Sequence, residues 1–148
     1  MQQLSETLYI TDAQTARHLS SDHDFDEVVT LGYSDGFGYG IPDESTTGDS
    51  FVFPDGPHDY QDFKSAADYV LTALNRDDKV LVHCQAGVSR STGVCAVVLV
   101  ESTDMSLFEA LTHIRVERPI VNPAPEIRES METYTDDSLM PSEEQLRP

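Results

Sequence analysis

The sequence predicts a single α/β domain with a central, mostly parallel sheet flanked by helices. Short apolar runs alternate with segments whose apolar residues recur every three or four positions, which is typical of strands alternating with helices. The 148 residues, 39% of them hydrophobic, suffice for one core of ordinary size. We expect the domain to cover residues 1–135 and the polar segment 136–148 to form an acidic, flexible C-terminal tail.

Four short apolar runs predict the strands of this sheet. Each run is followed directly by polar or turn-forming residues, as expected where a strand ends. The runs are Leu8–Ile10, Val28–Leu31, Phe51–Phe53 and Val80–Val82.

Two helices are predicted by the spacing of apolar residues. Between Tyr60 and Leu74 these residues form one face of a helix, and Asp59 is placed to cap its N-terminus. The run Val94–Val100 is apolar on every side, which predicts a helix buried in the core.

Two further helices are predicted by their N-terminal signals. Ser106 and Glu109 have the spacing of a capping box, so a helix should begin directly after Ser106. Asn122 is expected to be the N-cap of a last helix, with Pro123 at its first position. The segment 32–50 is rich in Gly, Ser and Asp and predicts a long loop, whose role the sequence leaves open.

The charge of the chain is strongly negative, because 27 Asp and Glu residues face nine Lys and Arg residues and give a formal net charge of -18. A surface of this sign repels nucleic acid and anionic membranes at long range, so we expect neither as a partner. The acidic, lysine-poor composition is similar to that of halophilic proteins and favours a haloarchaeal source. Sequence features also predict a cytoplasmic protein, since the chain has no long apolar segment, no signal-peptide layout and only two cysteines. The sequence does not determine the oligomeric state, for which a monomer is the expectation.

The segment His83–Ser91, HCQAGVSRS, joins a predicted strand to the predicted buried helix. A short turn into a helix N-terminus points successive backbone N–H groups at one spot and adds the positive end of the helix dipole, which suits a phosphate. Gly87 permits the left-handed backbone that such a turn needs, and Arg90 can bind two phosphate oxygens through its planar guanidinium. The same dipoles would stabilise the thiolate of Cys84. A nucleophile and an anion site are therefore predicted to coincide.

These residues resemble a known family. His83–Ser91 matches the HCxxGxxRS signature of the cysteine-dependent protein tyrosine phosphatases, and the length of the chain and the position of the motif favour their dual-specificity branch. Arg118–Pro123, RPIVNP, is similar to the segment that supports the phosphate loop in that family. The resemblance extends from about Leu8 to Tyr134, and it implies a phosphatase-like fold whose active site is a strand, the HCxxGxxRS loop and a helix.

The resemblance implies roles for the matching residues. Cys84 would attack phosphorus in line and form a cysteinyl-phosphate, while Arg90 would hold the equatorial phosphate oxygens together with the loop backbone. Ser91 would donate a hydrogen bond to the leaving sulfur. The phosphate-binding residues would be Gln85, Ala86, Gly87, Val88, Ser89 and Arg90.

Other implied residues lie outside or behind the loop. His83 and Asn122 would support the loop without touching substrate. The family uses an upstream Asp as general acid, and Asp55 in the turn PDGP is the best candidate. Asp59, explained as a helix cap, and Asp35, early in the long loop, are the alternatives. The histidines show no metal-ligand spacing, so we expect no metal and no cofactor.

We therefore expect a phosphomonoester hydrolase that acts on phosphotyrosine, and also on phosphoserine or phosphothreonine, in proteins. A module that binds phosphorylated partners without turnover is one alternative, although it would not need the intact Cys84, Arg90 and Ser91. A phosphatase of phosphoinositides or of RNA 5′-phosphates is another, although the loop has no basic residue besides Arg90.

If the acidic composition is an adaptation to salt, the free energy of unfolding should rise between dilute buffer and molar NaCl. Self-repulsion is screened within about 30 Å at 0.01 M salt and within about 3 Å at 1 M. Urea titrations at both salt concentrations measure the effect, and equal stability would contradict the halophilic interpretation.

Overall fold

Five strands form one sheet in residues 1–32 and 50–139, the part of the chain that the computed structural model describes. The order across the sheet is β1-β2-β5-β3-β4; β1 is antiparallel to β2, and all other neighbours are parallel. The first three residues of β5, Val80–Val82, are all apolar. The central position of β5 explains this, since a strand flanked on both sides and covered on both faces needs no polar face. The strands are β1 (Gln2–Gln3), β2 (Leu8–Asp12), β3 (Glu27–Gly32), β4 (Ser50–Val52) and β5 (Val80–Cys84).

Helices cover this sheet, and one of them is central. The helices of the described residues are α1 (Ala13–Arg17), α2 (Tyr60–Asn75), α3 (Arg90–Ser102), α4 (Leu107–Glu117) and α5 (Pro125–Thr135). Helix α3 packs against β2 and β5 and is flanked by α2, α4 and α5, which explains why it is apolar on every side. None of these helices is long and apolar enough to cross a membrane. The predicted α/β fold with a mostly parallel sheet is confirmed.

Two of the three predicted helix caps are present. The carboxylate of Asp59 accepts a hydrogen bond from the Gln61 N–H at 2.9 Å. Ser106 accepts from the N–H of Glu109 at 3.1 Å, and the Glu109 carboxylate accepts from the N–H of Ser106 at 3.0 Å, so both halves of the capping box form. Both signals are contained within four consecutive residues, which explains why they could be recognised in the sequence.

The start of the last helix was predicted wrongly. Helix α5 has Ala124 as N-cap and Pro125 at its first position, instead of Asn122 and Pro123. Proline does occupy the first helical position, as the rule predicts, but it is Pro125 and not Pro123. Asn122 donates its N–H to the carbonyl of Val88 at 2.8 Å, and this tertiary contact holds it outside the helix.

The chain continues in contact with the domain after α5. Asp136 adopts a left-handed conformation that ends the helix, and the carboxylate of Asp137 accepts a hydrogen bond from the N–H of Leu107 at 3.0 Å. Leu139 is buried. Residues 136–139 of the predicted tail therefore pack on the domain, while 140–148 and most of the predicted 32–50 loop, 33–49, lie outside the described residues.

Candidate active site

A cavity of about 150 Å³ lies where β5 ends and α3 begins. The carboxyl end of a central parallel strand is the usual place for a ligand site in an α/β sheet, because neighbouring connections diverge there. The residues that line the cavity are Asp55, Cys84, Gln85, Ala86, Val88, Ser89 and Arg90. The structure thus brings the predicted acid, nucleophile and phosphate loop to one place, although Asp55 and Cys84 are 29 positions apart in the chain.

Cys84 lies at the floor of this cavity. It is only 3% exposed, and its Sγ lies 3.1 Å from the hydroxyl oxygen of Ser91. The N–H of Ser91 also donates to Sγ, at 3.5 Å. A sulfur anion at this position would therefore receive two hydrogen bonds from one residue in the first turn of α3, close to the positive end of the helix.

Arg90 joins the phosphate loop to the segment that carries Asp55. Its guanidinium donates through Nη1 to the carbonyl of Phe53 at 3.0 Å, and the residue is 4% exposed. Phe53 precedes Asp55 by two residues, so this bond fixes the arginine and the start of the acid-bearing turn relative to each other. A guanidinium held in place beforehand loses less freedom when it binds an anion.

Arg118 holds the phosphate loop from behind. Its Nε donates to the carbonyl of Gly87 at 2.9 Å and its Nη2 to the carbonyl of Ala86 at 3.1 Å. In a trans peptide the following N–H points away from the carbonyl, so the N–H groups of Gly87 and Val88 are directed away from Arg118. Asp12 lies 3.7 Å from Nη2; its partial burial raises the pKa, but hydrogen bonds from Thr15 and the charge of Arg118 outweigh burial and lower it.

The segment that follows α4 fixes the other half of the loop. The N–H of Asn122 donates to the carbonyl of Val88, and the N–H of Ala124 donates to the Ser89 hydroxyl, both at 2.8 Å. The side chain of Asn122 points elsewhere, since its oxygen accepts a hydrogen bond from Arg128 at 3.3 Å. Asn122 therefore contacts the loop through its backbone and not through its side chain.

Three Asp residues are candidates for the general acid. Two of them, Asp55 and Asp59, lie in the described part of the chain and differ in their position relative to the cavity. Asp55 is exposed and lines the cavity beside Cys84 and Arg90. Asp59 caps α2 and does not line the cavity. Asp35 lies outside the described residues.

The amino-acid sequence matches a known protein family. Residues 57–137, more than half of the chain, match the family described as "Dual specificity phosphatase, catalytic domain". The chain belongs to this family. The matched range includes the phosphate loop and the 118–124 segment but begins two residues after Asp55, so the family match does not reach the candidate acid.

Similar proteins and structures extend the likeness to most of the chain. Tyrosine-protein phosphatase yvh1 of Schizosaccharomyces pombe is 28% identical over 135 residues, which cover 90% of this chain and 41% of yvh1. The 123R protein of Invertebrate iridescent virus 6 is 30% identical over 125 residues, 80% of each chain. The crystal structure of the human tyrosine phosphatase-like serine/threonine/tyrosine-interacting protein superimposes with a TM-score of 0.78 at 19% identity, covering 92% of this chain and 95% of that one. That likeness shows the phosphatase fold.

The chain is short beside several of these relatives. It spans 41% of the length of yvh1 and 34% of that of human Dual specificity protein phosphatase 21, which is 41% identical over 64 residues.

His83 lies behind the phosphate loop, inside the core of the domain. It is completely buried, and its Nε2 lies 2.9 Å from the hydroxyl oxygen of Thr30 on β3. Burial lowers the pKa of His83 to about 4, and the nearby backbone of Cys84 offsets only part of that effect. The imidazole is therefore neutral at pH 7 and does not line the cavity, in agreement with a supporting position.

Sequence reasoning missed three contributors to this site. The carbonyl of Phe53 positions Arg90, Asp12 pairs with Arg118, and Thr30 binds His83. Asp12 carried a usable signal, because it lies two residues after the predicted strand Leu8–Ile10, whose carboxyl end lies beside the phosphate loop. The backbone carbonyl of Phe53 has no such signal, because every residue has a backbone carbonyl.

Cys95, the other cysteine of the chain, belongs to the core. It is fully buried one helical turn beyond Ser91 on α3. Burial raises the pKa of its thiol, and the neighbouring Cys84 adds to the effect, so Cys95 stays a neutral thiol.

Gly87→Ala should destabilise the domain and abolish its binding of oxyanions. Gly87 has a φ of 67°, and an added Cβ would lie 2.7 Å from the carbonyl oxygen of Thr11 and 2.8 Å from Nη2 of Arg118. The left-handed conformation alone should cost about 1–2 kcal/mol. Gly56→Ala is the matched control for stability, because an added Cβ there meets no atom within 4 Å. Urea unfolding and vanadate binding measure both effects, and equal destabilisation by the two substitutions would contradict the prediction.

The buried His83 should make the domain less stable in mild acid. Its pKa is about 4 in the folded domain and 6.5 for an unperturbed histidine of the unfolded chain, so only the unfolded chain gains a proton as pH falls from 6.5 towards 4. Stability is therefore lost across that window, by about 2 kcal/mol at pH 5. Relative to His83→Gln, which does not titrate, the wild type should lose this extra amount between pH 7.5 and pH 5 in urea titrations. Parallel curves for the two proteins would count against the prediction.

Proposed function

We propose that this domain hydrolyses phosphomonoesters through a cysteinyl-phosphate intermediate, with phosphotyrosine and also phosphoserine or phosphothreonine in proteins as substrates. One observation carries the proposal: Cys84 lies at the floor of a cavity lined by Asp55 and Arg90, with the Ser91 hydroxyl 3.1 Å from its sulfur. Nucleophile, anion site and acid thus face the same small volume.

In the first step, the thiolate of Cys84 attacks phosphorus and the bond from phosphorus to the ester oxygen breaks. Protonated Asp55 gives its proton to that oxygen, which leaves as an alcohol or phenol. Charge on the equatorial oxygens is held by Arg90 and by the N–H groups of the loop that Arg118 turns away from itself.

In the second step, water attacks phosphorus and the sulfur–phosphorus bond breaks. Asp55, now a carboxylate, accepts the proton of the water, and inorganic phosphate is released. The Ser91 hydroxyl donates to the departing sulfur, which stabilises the thiolate that starts the next cycle. The cycle uses only side chains and backbone of this chain, so we propose that it needs no metal and no cofactor.

Binding without turnover is the competing function. The structural neighbour named a phosphatase-like interacting protein shares this fold, so the fold by itself does not imply hydrolysis. Cys84, buried in contact with Ser91, favours turnover, because a phosphate-binding module has no use for a nucleophile under the phosphate. Protein substrates are supported by the family match and by relatives named protein phosphatases.

We also propose that residues 1–135 form a monomeric catalytic unit that works in the cytoplasm. Support comes from the core, which residues of β2, β3, β5 and all helices except α1 share and to which Leu139 adds from beyond this range, and from the cysteines, both of which are free thiols.

Hydrolysis of aryl phosphates by single variants tests the proposal. Cys84→Ser should lower kcat/KM by at least about 10³-fold, and Arg90→Ala by about 10²–10³-fold. Asp55→Asn should lower kcat/KM by about 10²-fold or more for phenyl phosphate but by only a few fold for 4-nitrophenyl phosphate, whose leaving group needs no proton.

Asp59→Asn is the matched control, because asparagine caps a helix as well as aspartate does and Asp59 does not line the cavity. Its kinetics should equal those of the wild type. Turnover that survives Cys84→Ser would refute the cysteinyl-phosphate mechanism, and binding of a phosphopeptide by a wild type that shows no turnover would establish the competing function.

A further inference from the structure

The turn that carries Asp55 is tied to helix α5 by one histidine. The Nδ1 of His58 lies 2.7 Å from the carbonyl oxygen of Gly56, next to Asp55, and its Nε2 lies 2.7 Å from the hydroxyl oxygen of Ser130 on α5.

The carbonyl of Gly56 determines which ring nitrogen carries the hydrogen in the neutral imidazole. A carbonyl oxygen only accepts hydrogen bonds, so Nδ1 carries the hydrogen and donates to Gly56. In the neutral ring Nε2 then accepts from the Ser130 hydroxyl. The imidazole therefore forms a directed link from helix α5 to the backbone beside Asp55.

The surroundings hold this link in place. The imidazole ring packs on Phe53, with 5.4 Å between ring centroids, and on Phe63 at 6.3 Å. Ser130 is buried, and a buried hydroxyl without a hydrogen-bond partner costs free energy. The hydrogen bond between Ser130 and His58 is therefore favoured over a state in which it is broken. The acid turn is thus anchored at both ends, through the Phe53 carbonyl to Arg90 and through His58 to α5.

Helix α5 is also tied to the phosphate loop. The segment leading into it binds Val88 and Ser89 through the N–H groups of Asn122 and Ala124. Its Ile127 packs so closely on α3 that a Cβ on Gly93 would lie 2.5 Å from the Ile127 methyl group. One helix therefore supports both the loop that holds Cys84 and the turn that holds Asp55.

We propose that His58, anchored by Ser130, is a positioning residue that sets the Asp55 carboxyl at its working distance from Cys84. The inference rests on the proposed function, because it presupposes Asp55 as general acid. A general acid works only within hydrogen-bond reach of the leaving oxygen, so a loose acid turn impairs proton transfer while the attack by Cys84 proceeds.

The expected signature is a loss that depends on the leaving group. His58→Ala and Ser130→Ala should each lower kcat/KM for phenyl phosphate by about tenfold, within the range that a misplaced catalytic group produces. For 4-nitrophenyl phosphate, which needs little proton transfer, the loss should stay below about twofold. Ser130→Ala leaves the turn itself unchanged, so it reports on the anchor even if His58→Ala fails to fold.

His113→Ala is the matched control. The Nε2 of His113 on α4 also lies 2.7 Å from a backbone carbonyl oxygen, that of Leu4, and His113 does not line the cavity. This variant should shift the urea midpoint but lower kcat/KM for the two substrates, if at all, by the same factor.

A double-mutant cycle separates this inference from the proposed function. In the Asp55→Asn background, His58→Ala should cause no further loss on phenyl phosphate, because the group it positions is already absent. Equal losses on both substrates, a full additional loss in the Asp55→Asn background, or the same selectivity in His113→Ala would overturn the inference. Failure of the proposed function would appear elsewhere, as turnover by Cys84→Ser or as an Asp55→Asn loss that does not depend on the leaving group.

Discussion

The hold of Arg118 on the carbonyls of Ala86 and Gly87 is the constraint on which the site depends. The turn from β5 into α3 has few residues and could orient its peptide groups in several ways. With both carbonyls bound from behind, the N–H groups that follow them are directed to the opposite side. The left-handed Gly87 leaves room for the guanidinium, since a Cβ there would lie 2.8 Å from it. The loop backbone is thus arranged in advance for the anion that the proposed function requires.

The strong negative charge of the chain does not conflict with this anion site. The loop N–H groups, the N-terminus of α3 and the buried Arg90 act over a few ångströms. The formal charge of -18 acts over longer distances, which salt screens. Net charge therefore affects how an anionic substrate approaches, whereas the short contacts of the loop determine how it is held.

Helix α5 and the residues leading into it connect the phosphate loop with the turn that carries Asp55. The phosphate loop is a local structure, but the acid turn comes from a distant part of the chain and needs a common support with it. Asn122, Ala124, Ser130 and Ile127 provide contacts from one continuous segment to both elements and to α3. Movement of this segment would change the distance between Asp55 and Cys84, so under the proposed mechanism its packing on the buried helix α3 matters for catalysis as well as for stability.

Four features could be predicted from the amino-acid sequence: the α/β class, the buried helix, the capped helices and the contiguous motif from His83 to Ser91. These features depend on residues close together in the chain, where periodicity, capping and turn chemistry are local. Asp55 could be proposed because the turn PDGP follows a predicted strand. The folded structure was needed to show that Asp55 lines the cavity, that Arg118 pairs with Asp12, and that the Phe53 carbonyl binds Arg90. It also moved the start of α5 from Pro123 to Pro125, because Asn122 bonds to Val88 across 34 positions of the chain. Such contacts depend on how distant segments pack, and neither composition nor spacing along the chain encodes them in a readable pattern.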